Sequence, residues 1–317
     1  MVLLMTNSVI GVFSPNEQAR QHIAGLLGKK GSADDISLHN TNFGGKLVTT
    51  VEPTLYPKKV EAMAFCAYLA DYCIVHADAL TPELGEIIVT LDLLGKDKGC
   101  LVGDNVDWAM FCKGTALEKY ERAETDEDAK QKALAFEPEK KDTTDLVAII
   151  DHAFEVKGVG SVALGVIKKG IIKVHDKLQA YPSDSFVEIR SIQMQDKNFD
   201  EAGQSDRVGI AFKGMKADDL GRGMVLSKSC PTASAVTAEL EVARFCKKPV
   251  ENGEVMHFCC GMQMVPGKIA SEGPIAAGKK AKVTATFDRK MALPKGETLL
   301  ACRLNEKGLR VVARMPA

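Results

Sequence analysis

SVIGVFSPNEQARQHIAGLL, residues 8–27, decides how the first half of this chain is read. Residues 8–13 are a short apolar run, the pattern of a buried strand. Residues 16–27 then place apolar side chains at 19, 23, 26 and 27, the spacing of one helix face. A strand, a turn and a helix at the head of an α/β domain are where a nucleotide-binding protein carries its phosphate loop. A working loop reads G-x-x-x-x-G-K-[ST]. Its glycines let backbone N–H groups wrap a phosphate, its Lys reaches the outer phosphates and its hydroxyl holds Mg²⁺. In that register Ser14 and Ala19 replace the glycines, Arg20 replaces Lys and Gln21 replaces Ser/Thr.

Ser14-Pro15-Asn16-Glu17 also fits the capping box S-x-x-E with Pro at the first helical position. Ser14 is then expected to accept from the Glu17 N–H and Glu17 to reach back to the Ser14 N–H. Such a helix start satisfies its own donors and puts a carboxylate where a phosphate would sit. Arg20, on the first turns, is expected to face solvent.

Working outward, strand and helix signals alternate. Residues 47–51, 72–76 and 100–102 read as strands. Residues 60–70 read as a helix, and so does the stretch after Thr81-Pro82, with Leu84, Ile87, Ile88, Leu91 and Leu94 on one face. Such alternation predicts a parallel sheet covered on both sides. Residues 118–141 are densely charged and are expected to form a solvated helix followed by a linker. From residue 146 short β-rich segments recur between glycines: 161–167, 170–174, 186–194, 207–212 and 224–226. A second series follows near 239–245, 256–264, 282–287, 299–304 and 309–313. This spacing predicts two antiparallel barrels, with a boundary near Cys230-Pro231. The fold class is therefore an N-terminal phosphate-loop-like α/β domain, 1–145, followed by all-β barrels at 146–230 and 231–317.

Length and composition agree with this division. The 317 residues fit two or three domains, and 45% hydrophobic with 26% charged side chains is ordinary globular composition. No apolar run approaches the roughly 20 residues that span a bilayer. The apolar start, residues 1–5, lacks a basic flank and reads as the approach to a strand. The nine cysteines include no C-x-x-C pair and the six histidines no H-x-x-x-H pair. A reducing, cytoplasmic setting with neither disulfide framework nor metal site is expected. The net charge of −1 hides a split, −8 over residues 1–145 and +7 over 146–317.

DHAFEVKGVGSVALGVIKKG, residues 151–170, resembles the opening of domain II of the translational GTPases, the family of elongation factor Tu and the selenocysteine-specific factor SelB. Gly158, Gly160, Ser161, Val162 and Gly165 match its G-x-G-[ST]-V-x-x-G stretch. The likeness continues through residues 187–194, 206–209 and 222–226. Residues 287–289 and 303–310 resemble domain III of archaeal SelB-like factors. The chain ends without the SelB C-terminal domain that reads mRNA, so selenocysteine decoding is not expected.

Carrying the family's G motifs back implies loss. The D-x-P-G-H motif falls on Glu52-Pro53-Thr54-Leu55-Tyr56, so Leu55 stands for the Gly that meets the γ-phosphate and Tyr56 for the catalytic His. The switch I Thr maps to Ser37. The guanine-reading N-K-x-D falls on Asp104-Asn105-Val106-Asp107, where only Asp107 is kept. Phosphate cradle, metal ligand, water-positioning group and most of base recognition are altered together. The resemblance with these changes implies no GTP hydrolysis, no cofactor and no GTP binding. An active GTPase with atypical motifs is the disfavoured alternative, and Asp107 alone is more often a turn residue.

The resemblance further implies aminoacyl-tRNA or other translation components as partners, with neither membrane nor DNA. Glu201 falls where elongation factors place an acidic residue beside the terminal adenosine. Residues 231–317 carry 14 basic against 8 acidic side chains. Lys247-Lys248 and Lys279, Lys280 and Lys282 are their clusters, suited to a phosphate backbone. A protein-interaction scaffold without RNA binding remains the alternative.

Overall fold

Val9, Ile10, Val12 and Phe13 are fully buried, which places strand β1 (Ser8–Phe13) inside a sheet. Each such side chain contributes about 1.5–3 kcal/mol of burial. The computed structural model describes residues 7–139 and 145–317. The reading of residues 1–5 as a strand approach lies outside them, as does the end of the charged run.

β1 is flanked in parallel by β4 (Lys46–Glu52) and β5 (Tyr72–His76). β6 (Gly99–Val102) and β7 (Glu121–Ala123) extend the parallel side. On the other side β3 (Ser37–Phe43) and β2 (Lys29–Ala33) add an antiparallel edge. The order is β2-β3-β4-β1-β5-β6-β7. Helices α1 (Glu17–Leu27) and α5 (Asp126–Ala135) bury Ile23, Ala24, Leu27, Ala129 and Ala133 against one face. α2 (Val60–Leu69) and α3 (Pro82–Leu93) cover the other. Short α4 (Trp108–Phe111) follows β6. The charged run is not one solvated helix. It holds a 3-10 turn (Ala116–Lys119), the edge strand β7, and α5, whose alanine stripe is buried.

The first barrel uses β8 (Val147–Val156), β9 (Gly160–Lys169), β10 (Ile172–Lys173), β11 (Lys177–Tyr181), β12 (Phe186–Met194), β13 (Lys197–Phe199), β14 (Glu201–Ala202), β15 (Arg207–Lys213) and β16 (Val225–Ser227). Six of them form the ring β11-β16-β8-β9-β15-β12, closed by β11 pairing with β12. Ile150, Ile167, Leu178, Ile189, Ile210 and Leu226 fill it. The second barrel, β17 (Thr232–Val242), β18 (Val255–Cys260), β19 (Gln263–Ala270), β20 (Lys280–Ala292), β21 (Thr298–Cys302) and β22 (Val311–Pro316), closes in the order β17-β20-β19-β18-β21-β22. The expected strand at 256–264 is two strands. Gly261, at φ +60, takes the left-handed conformation that turns β18 back along β19. All nine cysteines are buried and unpaired, behaving as small core hydrophobes. Among the described residues no helix is long and apolar enough to cross a membrane.

Candidate functional site

The head of α1 is built differently from the expected capping box. Asn16 is the N-cap, its Oδ1 accepting from Gln18 N at 3.0 Å and Ala19 N at 3.3 Å. Ser14 Oγ instead accepts from Asn16 N at 3.1 Å and lies 3.4 Å from His76 Nδ1. Glu17 is exposed and accepts from Gln21 Nε2 at 3.0 Å, not from the Ser14 backbone. The box fails because the chain enters the helix two residues later than that motif requires, and Asn is as good a cap as Ser.

This start leaves only residues 14–16 between β1 and α1. The remaining phosphate-loop positions are wound into helix. The N–H of Arg20 goes to Asn16 O at 3.1 Å, Pro15 has none, and those of 16, 18 and 19 are taken as above. No glycine lies between residues 12 and 24 to let the backbone fold around an anion. Ala19 is half-buried and Gln21 points outward.

Arg20 does not face solvent. It is 0% exposed, on the stripe Arg20, Ile23, Ala24, Leu27 that packs on the sheet. Its Nη1 donates to Ser14 O at 2.8 Å and its Nη2 to Tyr56 O at 3.3 Å. Its Nε lies 3.6 Å from Glu52 Oε2. Glu52 Oε1 is 3.2 Å from His39 Nε2, and His39 comes from β3. Arg20 and Glu52, the residues expected at the phosphate-loop Lys and the first carboxylate of D-x-P-G-H, therefore form one buried group with His39. Burial lowers the Arg20 pKa and Glu52 opposes this. A guanidinium stays charged throughout.

The residues after Glu52 are committed as well. Leu55 N donates to Asp35 O at 3.0 Å. Tyr56 is 2% exposed and its hydroxyl donates to Glu83 O at 2.7 Å. Burial pushes that phenol far above its usual range, so it holds its proton. Ser37 opens β3 as an ordered strand residue, its Oγ 2.7 Å from Thr54 Oγ1. The sequence reading missed β2 and β3, whose polar strands carry no apolar alternation.

At the other loop, Asp107 caps α4 by accepting from Met110 N at 3.1 Å. Asp104 is exposed, 3.6 Å from Arg122 Nη2, and Asn105 is exposed. Arg122 lies 5.7 Å over the Trp108 ring. Among the described residues no three His, Cys, Asp or Glu side chains gather as metal ligands.

The barrel residues are exposed but partly paired. Lys279, Lys280 and Lys282 line one open cleft of about 660 Å³. Lys280 lies 3.7 Å from Glu239 and 3.6 Å from Glu241. Lys248 contacts Glu306 at 2.8 Å, and Lys247 is exposed beside it. Glu201 pairs with Lys173 at 2.8 Å. A second cleft, of about 550 Å³, lies between β2 and the first barrel, and Glu201 lines neither.

Comparison with known proteins gives these features a setting. The family profile described as elongation factor Tu domain 2 matches residues 160–227. An uncharacterized protein of Methanocaldococcus jannaschii is 37% identical over 254 residues, 77% of this chain and 82% of its own. The selenocysteine-specific elongation factor of the same organism is 33% identical over 123 residues, 38% of this chain and 26% of its own. Among solved structures, translation elongation factor SelB from Methanococcus maripaludis bound to the GTP analogue GppNHp has a TM-score of 0.82 at 20% identity, covering 99% of this chain and 79% of that one. A bacterial selenocysteine-specific elongation factor has a TM-score of 0.80 at 16% identity, covering 98% and 58%. At those identities the structural likeness speaks of fold alone. The chain belongs to one family with the Methanocaldococcus jannaschii protein, carries an elongation factor Tu domain 2 at residues 160–227 and has the fold of SelB-type translation elongation factors.

Proposed function

We propose that this chain is a translation-factor-like protein whose nucleotide site is closed by its own side chains. It meets tRNA or other translation components through its barrels. On this reading it divides into units 1–145, 146–230 and 231–317 and hydrolyses no GTP. The observation that carries the proposal is Arg20. Its guanidinium is fully buried, donates to Ser14 O and Tyr56 O and lies 3.6 Å from Glu52. A bound phosphate would have to break those contacts and recover N–H groups already used by Asn16.

The RNA part rests on the open cleft lined by Lys279, Lys280 and Lys282 and the net charge of residues 231–317. One observation favours the interaction-scaffold reading instead: Lys248, Lys280 and Glu201 are already paired within the protein. A gel-shift assay with aminoacyl-tRNA, run without nucleotide, separates the two. Retardation at low salt that fades steeply as salt rises supports phosphate contact. No retardation at low salt removes the RNA reading and leaves the scaffold.

A further inference from the structure

Residues 54–57, the loop after Glu52, are bonded directly by arginines of the α/β unit and the second barrel, and through Asp35 are linked to an arginine of the first barrel. From the α/β unit, Arg20 Nη2 reaches Tyr56 O at 3.3 Å. From the second barrel, Arg310 Nη1 donates to Pro57 O at 2.8 Å and its guanidinium lies 5.8 Å over the Tyr56 ring. The same Arg310 is held by Glu86 of α3, with Nε to Oε1 at 3.0 Å, Nη2 to Oε2 at 2.5 Å and its backbone N to Oε1 at 2.7 Å. Glu86 is only 2% exposed. From the first barrel, Arg222 Nη1 meets Asp35 Oδ1 at 2.7 Å and its guanidinium lies 5.2 Å over the Phe65 ring. Asp35 in turn accepts the Leu55 N–H through its carbonyl.

The fork geometry matters. A guanidinium presents five donors in a plane, so Arg310 binds Glu86 bidentately and still has a donor for Pro57. Glu86 has no route to solvent, so a break at this contact would strand a buried carboxylate. The same short loop is thereby tied to both barrels and to α1.

We propose that Arg20, Arg222 and Arg310 act as a built-in clamp on residues 54–57, holding the α/β unit and both barrels in one arrangement that needs no nucleotide. This rests on the closed-site reading above and extends it: the barrels present a preformed surface to a partner at all times. The molecule does not alternate between two interdomain arrangements.

Small-angle scattering of the full chain, with equilibrium dialysis of GTP run beside it, tests the clamp. Wild type should give one scattering profile, unchanged by millimolar GTP–Mg²⁺. The double variant Arg222→Ala, Arg310→Ala, checked for native circular dichroism, should show a larger radius of gyration. Should that variant fail to fold, Arg222→Lys serves, with hydrogen exchange read at residues 54–57. Loss of the guanidinium from Asp35 and the Phe65 ring, with Asp35 O holding the Leu55 N–H, should speed exchange there about tenfold. A double variant that scatters like wild type, or, where it does not fold, an unchanged exchange rate in Arg222→Lys, overturns the clamp. GTP retained in dialysis with unchanged scattering overturns the closed site and leaves the clamp standing. GTP retained with a changed profile overturns both.

Discussion

Two cationic regions of this molecule carry similar side chains and opposite surroundings. Arg20 is wholly enclosed, with protein acceptors at Ser14, Glu52 and Tyr56. Lys279 and Lys282 line an open cleft on the second barrel. The difference teaches that a charge announces a ligand only where its partners are not already supplied by the fold. At the α/β end both Arg20 Nη groups and the N–H groups of Asn16, Gln18, Ala19 and Arg20 have protein acceptors. On the barrel Lys279 and Lys282 are exposed, and cations so placed would release the counterions condensed on a phosphate backbone.

The enclosed side of the comparison breaks most visibly through Arg20→Met. That change leaves Glu52 buried with only His39, and removing one partner of such a buried pair costs about 3–5 kcal/mol. Urea unfolding should show that loss, and adding Glu52→Gln to the variant should recover part of it. A loss under about 1 kcal/mol would mean that Arg20 is not paired as described. The open side is probed by replacing Lys279, Lys280 and Lys282 with alanine together. If they contact phosphate, tRNA affinity should fall and the log–log salt slope should flatten by about 2–3 units, roughly one per contact. Stability should hardly change, since surface pairs such as Lys280 with Glu241 contribute about 0–1 kcal/mol. The smallest effect sharpens the helix start. Asn16→Ala should cost about 1 kcal/mol through the lost cap. Glu17→Ala should stay within about 0.5 kcal/mol, as exposed positions do. The reverse order in thermal melts would restore the Ser14 capping box.

The alternation of β1, α1, β4, α2, β5 and α3 was legible because buried parallel strands and amphipathic helices write their burial into local periodicity. Arg20 was not. Its neighbours Ile23, Ala24 and Leu27 mark the core stripe, and position 20 lies on it three, four and seven residues before them. A charged residue there hides the stripe unless its distant partner is known, and Glu52 lies in another strand. Strand β2 reads KKGSA and has no apolar signal, so nothing local separates it from a loop. Strand β8 was missed as a strand because its pairing shifts register between Val147 and Ala148 and again between Ile150 and His152, which breaks the alternation. The spacing of β-rich segments between glycines predicted the two barrels and the family resemblance a register for the G motifs, but neither reached the Arg222 and Arg310 contacts, which join residues far apart in sequence.

On the proposed reading the nucleotide site is filled from within. Thermal unfolding of the full chain with millimolar GTP and Mg²⁺ tests it most directly, because a ligand that binds only the folded state must raise the melting temperature. No shift is expected. A rise of several degrees that saturates with GTP concentration would contradict it.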